Sequence, residues 1–420
     1  MRRSLFIILI SFFAVSVAFA QMEQEPCLTD QLFHEQLADR PTYRTTLAEQ
    51  EEQMQRWIQG YRNAPHRREL ITIPVVVHIV YSNEAENISD DQVFSQLDVL
   101  NNDFRFNNSN KIDIPGEFAS NGADIEVEFC LAVQDPDGNP TDGITRTQTS
   151  VPNIGNDRAN DGRYKVKHSD LGGQSGWDNN RYLNVWVAKL SGGILGFGCF
   201  PNLCTDAEDG IVVDAFVFGV GGSAIEPNHL GRTTVHEVGH FLDLRHIWGT
   251  QQNDCGSSDL IDDTPDQFSS TNGCPAHPKR SCQSNDMFMN YMDYTYDECV
   301  SMFTTGQKER MLAALAGPRF RLAQSTACQM PVSTAEPELD GSIRLFPNPA
   351  DTYLTVDLQV DNQQVLELRL QNLNGQTVYE ATTAARGLHN IVLSHLPTGV
   401  YLLRLQGKDA ATIKKIVVAR

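Results

Sequence analysis

The chain has 420 residues, so at about 100 to 200 residues per domain it should form two or three folded units. A hydrophobic content of 40% is enough for packed cores and excludes a wholly disordered chain. The 33 Lys and Arg residues against 53 Asp and Glu give a net charge of −20. Neither this charge nor any Lys/Arg cluster provides a nucleic-acid surface, so we expect no nucleic-acid partner.

The first 20 residues have the pattern of a signal peptide. Arg2 and Arg3 precede a short apolar run that ends in Ala18 and Ala20. A charged beginning, a short apolar stretch and an A-x-A end predict export and cleavage near Ala20. The alternative is an uncleaved anchor, but a span needs about 20 apolar residues. No later stretch is apolar enough, so we expect no transmembrane span in the mature chain.

The next segments predict a leader and a mixed domain. Residues 21–68 are polar, and we interpret them as a helical propeptide whose exit can be cleaved at His66, Arg67 and Arg68. The β-branched run 71–81 predicts a buried strand, and the N-cap candidates of a following helix are Ser89, Asp90 and Asp91. Further strands are predicted at 125–133, 182–188 and 211–218. Strands mixed with long helices predict an α/β or α+β domain, which we place at 69–330.

The end of the chain has a different composition. Residues 331–342 are rich in Pro, Ser, Thr and acidic residues, as is typical of a linker. From residue 343 to 420, short alternating runs are separated by turn signals such as Asn374-Gly375. Six or seven short strands in this length predict a small all-β sandwich.

One short stretch has the spacing of metal ligands. His236, Glu237 and His240 form an H-E-x-x-H motif, and His246 follows. Residues four apart share a helix face, about 6 Å apart along the axis, so His236 and His240 can bind one ion. In a continued helix His246 would lie about 15 Å beyond His236, so the helix must end before it.

Three imidazoles leave a fourth zinc position open to water, which is the catalytic rather than the structural arrangement. Glu237 is expected to accept a proton from that water, whose pKa zinc lowers to about 7. The alternative is a helix with unrelated histidines, because H-E-x-x-H also occurs by chance. The offset of His246 and the export signal favour the zinc site.

The stretch HEVGHFLDLRH resembles the metzincin consensus, with Asp243 in place of the glycine that turns the chain toward the third ligand. Asp is among the few other residues that adopt the left-handed conformation, at about 1 to 2 kcal/mol. With the cysteine-rich segment, NYMDY and FTTGQKERM, the motif is most similar to the pappalysin family over residues 70–328. The implied fold is an α+β, metzincin-like zinc protease domain with a mixed sheet and an active-site helix.

The resemblance also implies roles for individual residues. His236, His240 and His246 would bind zinc, Glu237 would be general base and then general acid, and Met292 of the Met-turn would lie beneath the site.

The resemblance implies that Tyr294 and Glu298, which both follow Met292, act on the substrate. Tyr294 matches a family tyrosine that steadies the oxyanion, with ordinary core packing as the alternative. Glu298 stands where similar enzymes line the S1′ pocket, and a carboxylate there would favour Arg or Lys at P1′. A solvated Glu298 is the alternative.

The family position of the acidic segment after the motif suggests a structural calcium site. The candidate ligands are Asp259, Asp262 and Thr264, since Ca²⁺ prefers oxygen ligands at about 2.3 to 2.6 Å. A solvated loop is the alternative reading of this segment.

Nine cysteines suit an oxidising compartment, in which they can pair. Family similarity favours two disulfides after the motif, whereas a second zinc site there would lack a C-x-x-C pair. Two other cysteines could close a small loop, and two more remain. The pairs are Cys255–Cys282 and Cys274–Cys299, then Cys199–Cys204, then Cys130 with Cys328.

Cys27 is left without a partner. Similar zymogens suggest that its thiolate takes the fourth zinc position and excludes water until the leader is cleaved after Arg67 or Arg68. An incidental thiol or a disulfide partner is the alternative.

The terminal sandwich resembles the type IX secretion sorting domain of Bacteroidetes exoproteins. The resemblance rests on LFPNPA at 345–350, LPTGVYLLRL at 396–405 and the ending KKIVVAR. It implies the export machinery as a partner. An adhesive or carbohydrate-binding sandwich is the alternative.

Together these features predict a zinc metalloendopeptidase made as a latent zymogen, which cleaves proteins or peptides. It would be secreted or on the cell surface, exported through the periplasm of a Gram-negative bacterium. The alternative is a zinc-containing pseudoprotease that acts as an adhesin or a glycan-binding protein.

Overall fold

A computed structural model describes residues 26–40, 43–63, 70–329, 343–359, 365–372, 375–384, 386–407 and 411–419. The predicted signal peptide 1–20, the basic exit 66–68 and the linker 331–342 lie outside this description. The chain divides into two compact units between Cys328 and Gln329. Within the described ranges, no helix has the length and apolarity to cross a bilayer.

In its described residues, the first unit contains six α-helices and a mixed sheet. The first two helices lie in the predicted leader, and the other four lie in the predicted domain that follows. The helices are α1 Thr29–Asp39, α2 Tyr43–Asn63, α3 Asp90–Phe104, α4 Arg232–Phe241, α5 Thr305–Ala316 and α6 Phe320–Ala323. As predicted, Ser89 caps α3, because its side chain accepts a hydrogen bond from the Gln92 N–H.

The sheet of this unit is parallel except at one edge. Its strands are β1 Ile71–Tyr81, β2 Val127–Leu131, β3 Ile144–Gln148, β4 Leu183–Ala188, β5 Gly196–Gly198 and β6 Ile211–Asp214. The order is β2-β1-β4-β6-β5, and β3 continues the β2 side of β1. The edge strand β5 runs antiparallel to β6, which makes the sheet mixed, as predicted.

Two predicted strands are shorter than expected. The run 211–218 is a strand only to Asp214, whose carboxylate accepts a hydrogen bond from the Phe216 N–H and turns the chain. The run 125–133 pairs only over Val127–Leu131. A small hairpin, β7 Arg280–Ser281 and β8 Ser284–Asn285, lies in the cysteine-rich segment.

The second unit is all β over the residues described for it, as predicted. Its strands are β9 Ile343–Phe346, β10 Tyr353–Gln359, β11 Val365–Asn372, β12 Thr377–Ala384, β13 Arg386–Val392, β14 Gly399–Gln406 and β15 Ala411–Val418. They form two antiparallel sheets, ordered β13-β10-β9 and β12-β11-β14-β15. Alternating side chains such as Leu354, Val356, Leu368 and Leu403 build its core, because successive residues of a strand face opposite sides.

Candidate active site

Three histidine rings converge at the end of α4. The Nε2 atoms of His236 and His240 lie 3.0 Å apart, and each lies 3.2 Å from Nε2 of His246. All three side chains are buried. His236 and His240 come from successive turns of one helix face, whereas His246 arrives from the segment after the helix.

The helix ends because the chain turns at Asp243, which has φ +76°. The Leu244 N–H returns a hydrogen bond of 2.9 Å to the carbonyl of Gly239, which closes the end of the helix. A positive φ costs about 1 to 2 kcal/mol for a residue with a Cβ. The turn that the position of His246 requires is therefore present, although Asp stands where glycine is easier to accommodate.

The other ring nitrogen of each histidine is fixed by an acceptor. Nδ1 of His236 donates to the Tyr291 carbonyl, and Nδ1 of His240 donates to the Leu244 carbonyl, both at 2.7 Å. Nδ1 of His246 donates to the Asp30 carboxylate, also at 2.7 Å. Because carbonyl and carboxylate oxygens accept, each Nδ1 carries the proton and each Nε2 keeps a lone pair.

This donor set fits a metal cation. Burial, followed by the nearby His246 ring, lowers the pKa of His236 to about 3, so that ring stays neutral. Three neutral nitrogens with inward lone pairs repel one another unless a cation lies among them. Their 3.0 to 3.2 Å separations are close to the edge of a tetrahedron with metal–nitrogen bonds of about 2.0 to 2.1 Å.

A methionine packs beneath these rings. Met292 is fully buried, and a Cβ added at Gly239 would lie 2.5 Å from its Sδ. Glycine at the fourth position of the motif is therefore needed for the close approach of this turn. The neighbouring Tyr291 carbonyl holds His236, so the same turn orients one ligand.

Glu237 and Tyr294 flank the histidines. The side chain of Glu237 is buried, and burial raises the pKa of its carboxyl to about 8, against hydrogen bonds from Cys27 and Thr29 that lower it. The hydroxyl of Tyr294 lies 3.1 Å from Nε2 of His246. A proton-accepting group and a hydroxyl donor thus lie beside a set of metal ligands.

Comparisons with known proteins agree with this geometry. Residues 167–316 match the peptidase family described as pregnancy-associated plasma protein-A. An extracellular metalloprotease of Arthroderma gypseum is 32% identical over 251 residues, which is 57% of this chain and 71% of the relative. One from Pyricularia oryzae is 32% identical over 260 residues, covering 60% and 77%. The chain is a metalloprotease of the pappalysin family.

Solved structures of similar proteins also match this pappalysin. A promirolysin mutant of Tannerella forsythia is 40% identical, with a TM-score of 0.65, and covers 73% of this chain and 99% of its own. Mature mirolysin of the same organism, in complex with a cleaved peptide, is 45% identical, with a TM-score of 0.59 and coverage of 63% and 99%. The predicted family resemblance and the predicted α+β metalloprotease fold with a mixed sheet are confirmed.

The second unit also matches a known domain family. Residues 344–419 match the secretion system C-terminal sorting domain. The predicted export out of the cell is confirmed by this match and by the extracellular relatives.

The predicted leader of the pappalysin runs into the candidate site. Its main chain pairs in parallel with β5, where the Leu195 N–H donates to the Pro26 carbonyl at 2.7 Å and the Leu28 N–H donates to Gly196 at 3.2 Å. This brings Cys27, the unpaired cysteine among the described residues, within 4.8 Å of the histidine nitrogens. The thiol also lies 3.6 Å from Oε2 of Glu237.

Sequence reasoning missed two features of this contact. Asp30 of the leader is the partner of His246, but a separation of 216 residues leaves no local signal for it. Gly196 of β5 lies so close to the site that a Cβ there would come within 2.8 Å of Glu237 Oε1. The glycine pair in G-F-G, residues 196–198, was the available signal for the close approach of this edge strand.

A cavity of about 660 Å³ opens beside the histidines, lined by His236, Glu237, Tyr294 and Asp297 among others. The predicted substrate residue Glu298 is exposed and does not line this cavity. Asp297 does, and its Oδ2 accepts hydrogen bonds from the Leu230 and Arg232 N–H groups. Asp297 thus offers a carboxylate to the cavity next to Glu298, whose role in substrate binding stays a prediction.

The three candidate calcium ligands do not converge. Thr264 donates a hydrogen bond of 2.7 Å to Asp259, which is buried. The side chain of Asp262 is 92% exposed and lies 3.9 Å from Arg62 of the leader. A calcium site here stays a prediction, and these positions do not favour it.

The pappalysin contains four disulfides, and the three predicted pairings are present. Cys255–Cys282 and Cys274–Cys299 close the segment between the third histidine and the end of the Met-turn. The others are Cys199–Cys204 and Cys130–Cys328, the latter being the pair that remained.

Proposed function

We propose that this pappalysin is a zinc-dependent endopeptidase in which His236, His240 and His246 hold the zinc. The proposal depends on one observation: the three histidine Nε2 atoms, each with a free lone pair, lie within 3.2 Å of one another beside the Glu237 carboxylate. Neutral imidazoles are the usual ligands of catalytic zinc, and a three-protein-ligand set leaves a position for the substrate. Domain limits of 69–330 and 343–420 belong to the same proposal.

A bound zinc would act as a Lewis acid on the scissile carbonyl and would lower the pKa of water. Glu237 takes a proton from the attacking water and then delivers it to the leaving amine, and its buried position favours a carboxyl that exchanges protons near neutral pH. Tyr294 donates its hydroxyl hydrogen bond to the oxyanion that develops on the carbonyl. Met292 and the carbonyls of Tyr291 and Leu244 keep the rings oriented.

The test compares the mature chain with its Glu237→Ala variant. We expect both to contain one zinc per chain by elemental analysis and only the parent to cleave casein, with activity lost on chelation and restored by zinc. Loss of a general base should lower kcat by roughly 10² to 10⁴-fold. Casein cleavage that survives Glu237→Ala would contradict the assigned role.

We further propose that the leader keeps the enzyme latent. Cys27 lies close enough to complete a four-ligand set, and the leader covers the strand β5 that borders the cavity. The thiol of the metal-free site stays protonated, since burial, followed by the Glu237 charge, raises the pKa of Cys27 well above its usual value. A zinc ion at the histidines would favour the thiolate, which is the form that binds.

The cavity supports a preference for Arg or Lys at P1′. Arg232 pairs with Asp103 at 3.0 Å, so its charge is already compensated. Asp297 is one of three acidic residues that line the cavity, with Glu237 and Asp293, and two main-chain N–H groups fix its carboxylate. A cationic side chain in the cavity would make a charge-assisted hydrogen bond with it.

A further inference from the structure

A buried arginine holds the turn at which α4 ends. Arg310 lies on α5, and its side chain is 3% exposed. Its Nε donates a hydrogen bond of 2.8 Å to the main-chain carbonyl of Asp243. Its Nη2 lies 2.7 Å from Oδ2 of the same residue. One guanidinium therefore contacts both the backbone and the carboxylate of the turn residue.

This turn decides where two of the three histidines lie. Asp243 has φ +76° and stands between His240 and His246. The next residue, Leu244, supplies the carbonyl that accepts from Nδ1 of His240. If Asp243 relaxed to a negative φ, the Leu244 carbonyl would move away from His240, and the His246 ring would no longer converge on the other two histidines.

An aspartate at positive φ needs a compensating interaction, because its Cβ crowds the neighbouring carbonyl. Glycine would need none, since it adopts this conformation freely. Arg310 supplies such an interaction, because its contacts with the Asp243 carbonyl and carboxylate are both made in this one conformation. An uncompensated Asp243 carboxylate would also be costly in this environment, because the Asp243 side chain is only 11% exposed.

Arg310 has a second acidic partner in the leader. Nη1 and Nη2 donate to the Glu51 carboxylate at 3.1 and 2.8 Å. Glu51 leaves with the leader on maturation, whereas Asp243 belongs to the protease domain. The contact with Asp243 is thus the one that persists in both forms of the enzyme.

We infer that Arg310 is a positioning residue of the metal site. Its ion pair with Asp243 stabilises the positive-φ turn that a glycine would adopt without help. This turn places the His246 ring where it can bind zinc. This inference rests on the proposed zinc site. Arg310 acts only through Asp243, which itself contacts neither the metal ligand atoms nor the substrate cavity in the contacts described above.

The test measures zinc affinity in the full chain carrying Glu237→Ala, so that the leader stays attached. Zinc is titrated against a competing chelator, and Co²⁺ absorption reports the geometry of the site. We expect Arg310→Met to weaken zinc binding by about tenfold or more, as for other residues that orient metal ligands. Lys308→Met is the matched control, because Lys308 lies on the same helix but pairs with Glu126.

Two double variants separate conformation from charge. Adding Asp243→Gly to Arg310→Met should restore the affinity and the Co²⁺ spectrum, because glycine adopts the turn unaided. Adding Asp243→Ala should not, although it removes the same carboxylate. These two variants can be compared even if Arg310→Met alone fails to fold.

The inference is overturned if Arg310→Met binds zinc like the Lys308→Met control, or if Asp243→Ala rescues as well as Asp243→Gly. A Glu237→Ala parent that binds no zinc would instead defeat the proposed function, so the two failures are distinguishable.

Discussion

Asp297 tests the specificity of the cavity at the scale of one residue. We expect Asp297→Asn to lower kcat/KM for peptides with Arg at P1′ by roughly tenfold or more, the scale of a lost hydrogen bond to a charged group. Peptides with Leu at P1′ should be affected much less, because they make no ion pair. The measurement is the ratio of the two kcat/KM values in matched peptides.

The adjacent residue provides the control for this prediction. Glu298 is exposed and outside the cavity lining, so Glu298→Gln should leave the Arg-to-Leu ratio unchanged. A ratio that falls in Glu298→Gln and not in Asp297→Asn would show that the neighbouring carboxylate faces the substrate.

At this scale the sequence predicts what local geometry determines. The spacing of His236 and His240 places them on one helix face whatever the rest of the fold does. Which of Asp297 and Glu298 faces a cavity depends on how the segment before Cys299 packs, and no short-range pattern states it. The leader carboxylate on His246 is beyond prediction for the same reason, since only the folded chain brings it there.

At the scale of secondary-structure elements, His78 of the central strand β1 links this strand to its two neighbours. Nδ1 accepts from the Thr145 hydroxyl of β3 at 2.8 Å, and Nε2 donates to Oδ1 of Asn184 on β4 at 3.0 Å. This tautomer follows from Asn184, whose Oδ1 also accepts from the Trp177 N–H and whose Nδ2 donates to the Trp177 carbonyl. One neutral imidazole therefore joins both neighbours of β1.

Burial lowers the pKa of His78 from 6.5 to about 4. The unfolded chain therefore binds more protons between these two pH values, and the free energy of unfolding falls as the pH drops through this window. Above pH 6.5 the full contribution is present. We expect His78→Gln to flatten this dependence, by up to about 3 kcal/mol at pH 4.

Urea unfolding followed by tryptophan fluorescence measures this effect, because all four tryptophans lie in the first unit. His34→Gln is the control, since His34 lies on the exposed side of α1. Equal slopes of unfolding free energy against pH in the parent and in His78→Gln would contradict the prediction.

The elements themselves were predicted where periodicity and capping residues agree. The β-branched run of β1 and the Ser89 cap of α3 are short sequence patterns that each predict their own element. The short edge strand β5 was not predicted, because three residues rich in glycine resemble a loop. Its conformation is set by pairing with β6 and by the close approach of Glu237 to Gly196.

The proposed latency involves the whole molecule. The predicted leader also packs on the protease domain away from β5, where Met54 and Ile58 of α2 contact Ala313 and Ala314 of α5. We expect Cys27→Ala to raise peptide cleavage by the chain with its leader attached by roughly tenfold or more, because one group of the metal environment is lost. Initial rates on a short fluorogenic peptide measure this, with intact mass as the check.

Gln31→Ala is the matched control, since Gln31 is exposed on α1 and bonds only to Glu35 among the contacts described. An intact Cys27→Ala chain as inactive as its parent would show that the leader backbone on β5, rather than the thiol, withholds activity.

The two units should separate catalysis from export, because each has its own core and all four disulfides lie in the first. We expect a chain ending at Gln329 to mature and to cleave casein with a kcat/KM within about twofold of the parent, as for changes remote from a site.

In the producing bacterium the truncated chain should remain inside the cell envelope. The full chain with Glu237→Ala is the converse control, exported but inactive. Fractionation and immunoblotting measure both, and a truncated chain found in the medium would mean that residues 343–420 do not carry the export signal.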